Sequence, residues 1–352
     1  AECQLCPGLY TIPFILLSGK LTEHINNIFL LQTGLIIFVL SGLFYILSTE
    51  MWQLIAVSAL LGIGSGLIVP LSTGLISRYF TGKYRTRQFG LSSAITNITL
   101  VSATLLTGYL AGIDWHLPFV VYFFPIVAFV FSFYLKKDPV SAAPVRTNNP
   151  GKINVKHLIG LMAFYGLVTY LVVIISFNLP FLMKEYRFDA ETSGIIISMF
   201  YSAIVVPGFF LNKILSTFKY LTKCMCLLCI AAGLLLVLIS SNVWILGTGA
   251  VFMGFGYGVI QPLIYDQTSQ VATPEKTTLA LAFVMSMNYL AILLCPTIID
   301  TFQSLFHIHS QQFAFSFNLS ITLLAIIWSY AARHTFLFND NLENDKSSLE
   351  EL

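Results

Sequence analysis

Tyr257, Gln261 and Tyr265 stand at i, i+4 and i+8, so on a helix they share one face. Two phenols and an amide side by side make a neutral hydrogen-bonding surface with aromatic walls. A buried amide such as Gln261 needs a partner, and a wetted cavity supplies one. Asp266 follows directly. Its carboxylate reads either as a gate or proton-linked group or as an interfacial helix-end residue. Tyr165 and Thr169 share a face of another apolar run, as do Tyr170 and Asn178 at i and i+8. Asn97, Asn288 and Tyr289 lie in two further apolar runs. Each of these residues either lines a polar cavity or bonds a neighbouring helix.

Other chemistries find little support. The paired intramembrane carboxylates or HExxH pattern of a membrane-embedded enzyme do not occur, so the chain is read as a non-enzyme. Cys3 and Cys6 form one CxxC without a second pair, and Cys224, Cys226, Cys229 and Cys295 read as small buried side chains. His307 and His309 form an HxH without further ligands nearby. No metal, no cofactor and no nucleic-acid partner is expected.

The elements that must position these residues are membrane helices. The chain is 57% hydrophobic and 10% charged, and its 30 Phe outnumber its 16 Asp plus Glu. Soluble domains run about 25% charged. A bilayer core takes about 20 apolar residues as helix. Eleven segments qualify: 1–19, 28–48, 52–78, 88–112, 117–135, 157–182, 192–215, 221–241, 244–271, 277–302 and 312–333.

Gly62-Ile63-Gly64-Ser65-Gly66-Leu67-Ile68-Val69-Pro70-Leu71 recurs 192 residues on as Gly254-Phe255-Gly256-Tyr257-Gly258-Val259-Ile260-Gln261-Pro262-Leu263. Trp52 and Trp244 precede the two copies at the same distance. The chain is therefore read as two related helical bundles, 1–136 and 157–334, joined by a linker at 137–156 and followed by a tail at 335–352. The glycines would let helices approach closely, and Pro70 and Pro262 would kink both helices at matching depths. Carried back by 192, the second half's start near Lys156 falls about 35 residues before Ala1, so a twelve-helix frame would lack its first helix.

Of the 18 Lys and Arg, all but Lys184 and Arg187 fall on one set of alternate loops. The positive-inside rule makes that side, and with it the C-terminus, cytoplasmic.

Two six-helix halves joined by a basic loop resemble the major facilitator superfamily. Gly19-Lys20-Leu21-Thr22-Glu23-His24-Ile25-Asn26-Asn27 is similar to that family's first cytoplasmic loop signature, and Gly208-Phe209-Phe210-Leu211-Asn212-Lys213-Ile214 is a weaker echo. Thr107-Gly108-Tyr109-Leu110 and Trp115-His116-Leu117-Pro118-Phe119 resemble the fifth-to-sixth helix junction of efflux members. His24, Asn26 and Asn27 depart from the loop signature. Ser58 stands where drug/proton antiporters usually place an arginine, and Ala103-Thr104 where they place glycine-proline.

The resemblance implies a monomeric secondary transporter that moves a small organic solute, with protons as a coupling ion, in a bacterial cytoplasmic membrane. Its cavity would be lined by the residues named above. Gly19, Glu23, Arg78, Arg85, Arg87 and Asp266 would form a cytoplasmic gating network. Gly62, Gly64, Gly66, Pro70, Gly254, Gly256, Gly258 and Pro262 would pack the helices. Efflux is the expected direction. An uptake porter and a homologue that no longer transports are the alternatives.

Overall fold

The computed structural model describes residues 2–111, 113–135, 152–308 and 310–332. Most of the expected linker, the tail from 335 and His309 lie outside the described residues, as do the side chains of Glu2, Cys3 and Cys6. Hydrocarbon offers no partner for a backbone N–H or C=O, so a spanning chain must close its hydrogen bonds within each segment. Among the described residues the chain does so as α-helices α1 (Glu2–Leu21), α2 (Asn27–Leu47), α3 (Met51–Tyr79), α4 (Gly82–Ala111), α5 (Pro125–Ser132), α6 (Val155–Glu185), α7 (Ala190–Phe218), α8 (Thr222–Ile239), α9 (Val243–Val271), α10 (Thr277–Phe306) and α11 (Gln312–Ala331). The fold is that of an all-α membrane protein. Eight described stretches are long and apolar enough to cross a bilayer, one of them running through both α7 and α8; Gly8–Leu21 and Leu117–Ser132 are apolar but shorter.

Two expected boundaries move. The segment 117–135 is not one helix but a 3-10 stretch, Leu117–Phe123, followed by the short α5. Pro118 and Pro125 each lack an amide proton, and Pro125 sits at the start of α5, where that loss is harmless. Conversely, α4 begins at Gly82, ahead of the apolar run, because Lys83, Arg85 and Arg87 are adequate helix formers although too polar for a hydropathy count. That extension puts Arg85 and Thr86 on the same rod as Phe89 and Ser93.

The sequence repeat is a repeat of packing. Helices α3 and α9 are both 29 residues long, and their first and last residues are related by the same step of 192. Trp52 and Trp244 are each the second residue of their helix and stay exposed, as interfacial tryptophans do. A Cβ added at Gly64 would meet Phe38 of α2, and one at Gly256 would meet the Cys226 carbonyl of α8. At Gly66 the neighbour is α1 (Phe14, Thr11), and at Gly258 it is Ile204 of α7. Helices α3 and α9 thus sit in equivalent seats between their neighbours. Both run unbroken through Pro70 and Pro262.

The largest apolar core belongs to α6–α11, and a smaller one joins α2 to α3. The first four helices touch the later ones at several points in their basic-end halves. Gly19 of α1 abuts Leu279 and Ala282 of α10, and Gly74 of α3 abuts Thr278. Gly90 of α4 and Gly208 of α7 face one another so closely that a methyl group on either would strike the other's carbonyl. Asn212 Nδ2 donates to the Lys83 carbonyl at 3.1 Å.

Gly256→Leu is expected to push α8 from α9 and destabilise the protein by about 1–3 kcal/mol, read as lost monodisperse yield and a lower unfolding temperature. Gly194→Ala, where an added Cβ meets open space, should match the wild type in both measurements.

Candidate functional site

Midway along the bundle, α4, α6, α9 and α10 bring their polar side chains to one place. Tyr165 of α6 stands at the centre, fully buried, with its hydroxyl 2.9 Å from the Tyr265 hydroxyl and 3.3 Å from that of Tyr257. Its ring lies parallel to Tyr257 and edge-on to Tyr265. Tyr257 donates to Asn288 Oδ1 at 3.3 Å, and Thr169 donates to the same oxygen at 2.7 Å. On the other flank Gln261 Nε2 reaches the Tyr265 hydroxyl at 3.5 Å, while Gln261 Oε1 accepts from Ser93 of α4 at 2.9 Å. Phe89 sets its ring edge-on to Tyr265. Tyr289 packs beside Tyr265 against Ile15, Ala282 and Met285.

The i, i+4, i+8 face of α9 is therefore the spine of this cluster. Its partners are neutral, so the cluster offers donors, acceptors and ring faces without net charge. In this structure the groups bond to one another. A solute entering here must replace those bonds with its own.

Three expected members stand elsewhere. Tyr170 lies five residues from Tyr165, about 140° round the helix at 100° per residue, and so faces another way. It is buried near Cys295, and its hydroxyl has no hydrogen-bond partner among the described residues. Asn178 is about 20 Å further along α6 and donates to Gln311 Oε1 at 3.3 Å, within the later helices. Asn97 turns back to the Ser93 carbonyl of its own helix at 2.8 Å.

Directly after Tyr265, on the basic-end side of the cluster, Asp266 of α9 is 4% exposed. Arg85 Nε of α4 donates to its Oδ1 at 2.7 Å. Thr86 Oγ1 and Gln270 Nε2 donate to Oδ2 at 3.0 and 3.2 Å. A buried carboxylate with three donors is well satisfied, and an ion pair is tolerable there only because of that. Glu23, expected within the arginine cluster, instead faces Lys276 at 3.9 Å, with both side chains partly exposed. Arg87 is exposed and Arg78 lies in the last turn of α3. Ser58 is buried and hydrogen-bonds Tyr45 at 2.6 Å.

Ser93, Thr86 and Phe89 escaped the residue-by-residue reading. The signal existed as a stripe, since 86, 89, 93 and 97 follow i, i+3, i+7, i+11 along one face of α4. Among the described residues, no group of three or more His, Cys, Asp or Glu could hold a metal ion. Two surface hollows, of about 530 and 450 Å³, lie away from the cluster.

Comparison with known proteins identifies the architecture. The family model described as Major Facilitator Superfamily matches residues 5–296. The chain belongs to the major facilitator superfamily. It is accordingly an integral, multi-pass membrane transporter. Among curated members it is 24% identical over 278 residues to the quinolone resistance protein NorA of Staphylococcus aureus (strain MRSA252), covering 72% of this chain and 68% of that one. It is 28% identical over 106 residues to the multidrug transporter protein MdtP of Bacillus subtilis (strain 168), covering 30% and 20%. Among solved structures, the human organic anion transporter MFSD10 (TETRAN) superposes with a TM-score of 0.78 at 16% identity, over 92% of this chain and 83% of that one. The proton:xylose symporter XylE superposes with a TM-score of 0.74 at 12% identity, over 94% and 85%.

Tyr165→Phe keeps the ring and removes the hydroxyl shared by Tyr257 and Tyr265. It is expected to cost about 1 kcal/mol of stability, measured by thermal unfolding of the solubilised protein. Tyr170→Phe deletes a hydroxyl without a partner and should leave the unfolding temperature unchanged or slightly raised.

Proposed function

We propose that this superfamily member exports a small organic solute from a bacterial cytoplasm, coupled to inward movement of protons. The observation that carries the reading is the buried Arg85–Asp266 pair, which ties α4 to α9 directly beneath an uncharged cluster built on the same α9. The bias of Lys and Arg to one set of loops supports a cytoplasmic position for that pair. Residues 1–136 and 157–334 act as two bodies that rock about the cluster, with 137–156 as their linker. Efflux is supported by relatives named for quinolone resistance and multidrug transport.

The polar cluster binds the solute. Tyr257, Tyr265, Tyr165, Gln261 and Asn288 exchange mutual hydrogen bonds for bonds to it, and Tyr289 and Phe89 add apolar wall. With Arg85 on Asp266 the cytoplasmic end is closed, and a solute at the cluster can leave only outward. A proton arriving from outside neutralises Asp266. The bond to Arg85 then loses its ion-pair attraction and weakens, although the guanidinium keeps its charge. Helices α4 and α9 then part at their basic ends, the proton leaves to the cytoplasm, and fresh solute enters. Deprotonated Asp266 recaptures Arg85 and closes the path. One proton enters for each solute that leaves.

Proteoliposomes loaded with a quinolone as first probe test this scheme. The wild type should concentrate the probe when a pH gradient is imposed and exchange it without one. Asp266→Asn should keep exchange and lose about tenfold or more of the gradient-driven component, a loss of roughly 1.4 kcal/mol or more in coupling. Equal response of wild type and Asp266→Asn to the gradient would remove Asp266 from the coupling step.

A further inference from the structure

The larger surface hollow, about 530 Å³, lies between the start of α6 and the end of α11, away from the polar cluster. Lys156, Gly160, Ala163 and Leu167 follow i, i+4, i+7, i+11, so they form one stripe along α6. That stripe runs about 16 Å from the basic end toward the bilayer interior. Gly160 and Ala163 give the hollow its depth. Trp328, half exposed three residues before the end of α11, forms the facing wall. The chemistry is graded along the groove: Lys156 and His157 at the mouth, hydrocarbon and an interfacial tryptophan below.

The mouth is fixed in place. Ile153 pairs with Ala272 in a β-bridge, Asn154 N donates to the Val271 carbonyl at 3.1 Å, and Thr273 N donates to the Lys152 carbonyl at 3.1 Å. Asn154 Oδ1 then caps α6 by accepting from His157 N at 3.3 Å. The residues just ahead of Lys156 and His157 are thereby held against the end of α9, whose last residue is five beyond Asp266.

We propose that this groove is a binding site for an anionic phospholipid of the adjacent leaflet. The phosphate sits against Lys156 and His157, and one acyl chain lies along Ala163 and Leu167 with Trp328 over it. Basic pockets between helices at the cytoplasmic boundary suit this charge, and a cation near the surface contributes a severalfold preference for anionic over zwitterionic lipid. Tryptophan favours the same depth. Because the mouth is hydrogen-bonded to the end of α9, an occupied groove stiffens the helix that carries Asp266.

Native mass spectrometry of the full chain, with phosphatidylglycerol and phosphatidylcholine of matched chains in competition, tests the site. The wild type should retain at least one phosphatidylglycerol with about a fivefold preference over phosphatidylcholine. Lys156→Gln with His157→Gln should abolish the preference, Lys156→Arg with His157→Lys should restore it, and Trp328→Ala should weaken retention of both lipids. Size-exclusion profiles confirm that each variant is folded. An undiminished preference in the Lys156→Gln, His157→Gln protein would overturn the proposal. So would glycerol phosphate competing as well as the lipid, which makes the site one for free phosphate. So would a wild type that shows no preference until residues 137–151 are deleted, which makes the linker the occupant.

Discussion

A polar group surrounded by hydrocarbon must find its partner inside the protein, and this requirement sorts nearly every side chain in the chain. The backbone meets it by becoming helix. Most hydroxyls meet it locally by donating to a carbonyl one turn back, as Thr268 does to Ile264, Ser269 to Tyr265 and Ser286 to Ala282. Phenols are too long and rigid to fold back in this way. The amides of Gln261 and Asn288 do not do so here, whereas that of Asn97 does. Tyr165, Tyr257, Tyr265, Gln261 and Asn288 have to reach another helix, and they reach each other. The cluster is thus where the local solution fails, and side chains that must find partners across helices can also find one in a solute.

Close helix approach is the second consequence of the same solvent. Lipid tails are as apolar as leucine, so helices associate through tight packing. Glycines along α3 and α9 bring each helix against two neighbours, and Gly90 with Gly208 brings α4 against α7. Tight seams of this kind transmit motion as rigid bodies do. Helix α9, which carries Asp266, is seated in this way between α7 at Gly254 and Gly258 and α8 at Gly256.

How much could be read from the sequence depended on whether a feature is local. The step of 192 residues predicted equivalent helices, and α3 and α9 share their bounds under it. The i, i+4, i+8 face of α9 was visible because periodicity is local to one helix, and Tyr257, Gln261 and Tyr265 do point together. Partners across helices left no such trace. Nothing in the residues near Arg85 says that its carboxylate is Asp266, 181 positions away, while Glu23 pairs with Lys276. Tyr170 and Asn178 share a face with each other but not with Tyr165, and only the seating of α6 decides which of its faces meets α9. The break at Pro118 and Pro125 was legible in principle, but hydropathy averaged across it.

The separation of neutral cluster and ion pair along α9 has its own logic. A charge pair at the bilayer centre would carry its full desolvation cost through every conformation, and parting it there would leave two bare ions in hydrocarbon. Arg85 and Asp266 lie instead near the basic end, where the side chains that separate meet water as soon as the helices part. The cost of breaking them falls as they are broken. As the proposed solute site, the cluster faces the opposite demand, since a mid-membrane site must be open to either side in turn and must not hold its occupant too firmly. Hydroxyls and amides satisfied by one another give a resting state without unpaired charge and trade bonds with a solute nearly one for one. Under the proposed function, the step that needs a large energy difference is assigned to the charged residues at the boundary. The step that needs reversibility is assigned to the neutral residues in the middle, and α9 carries both within three turns.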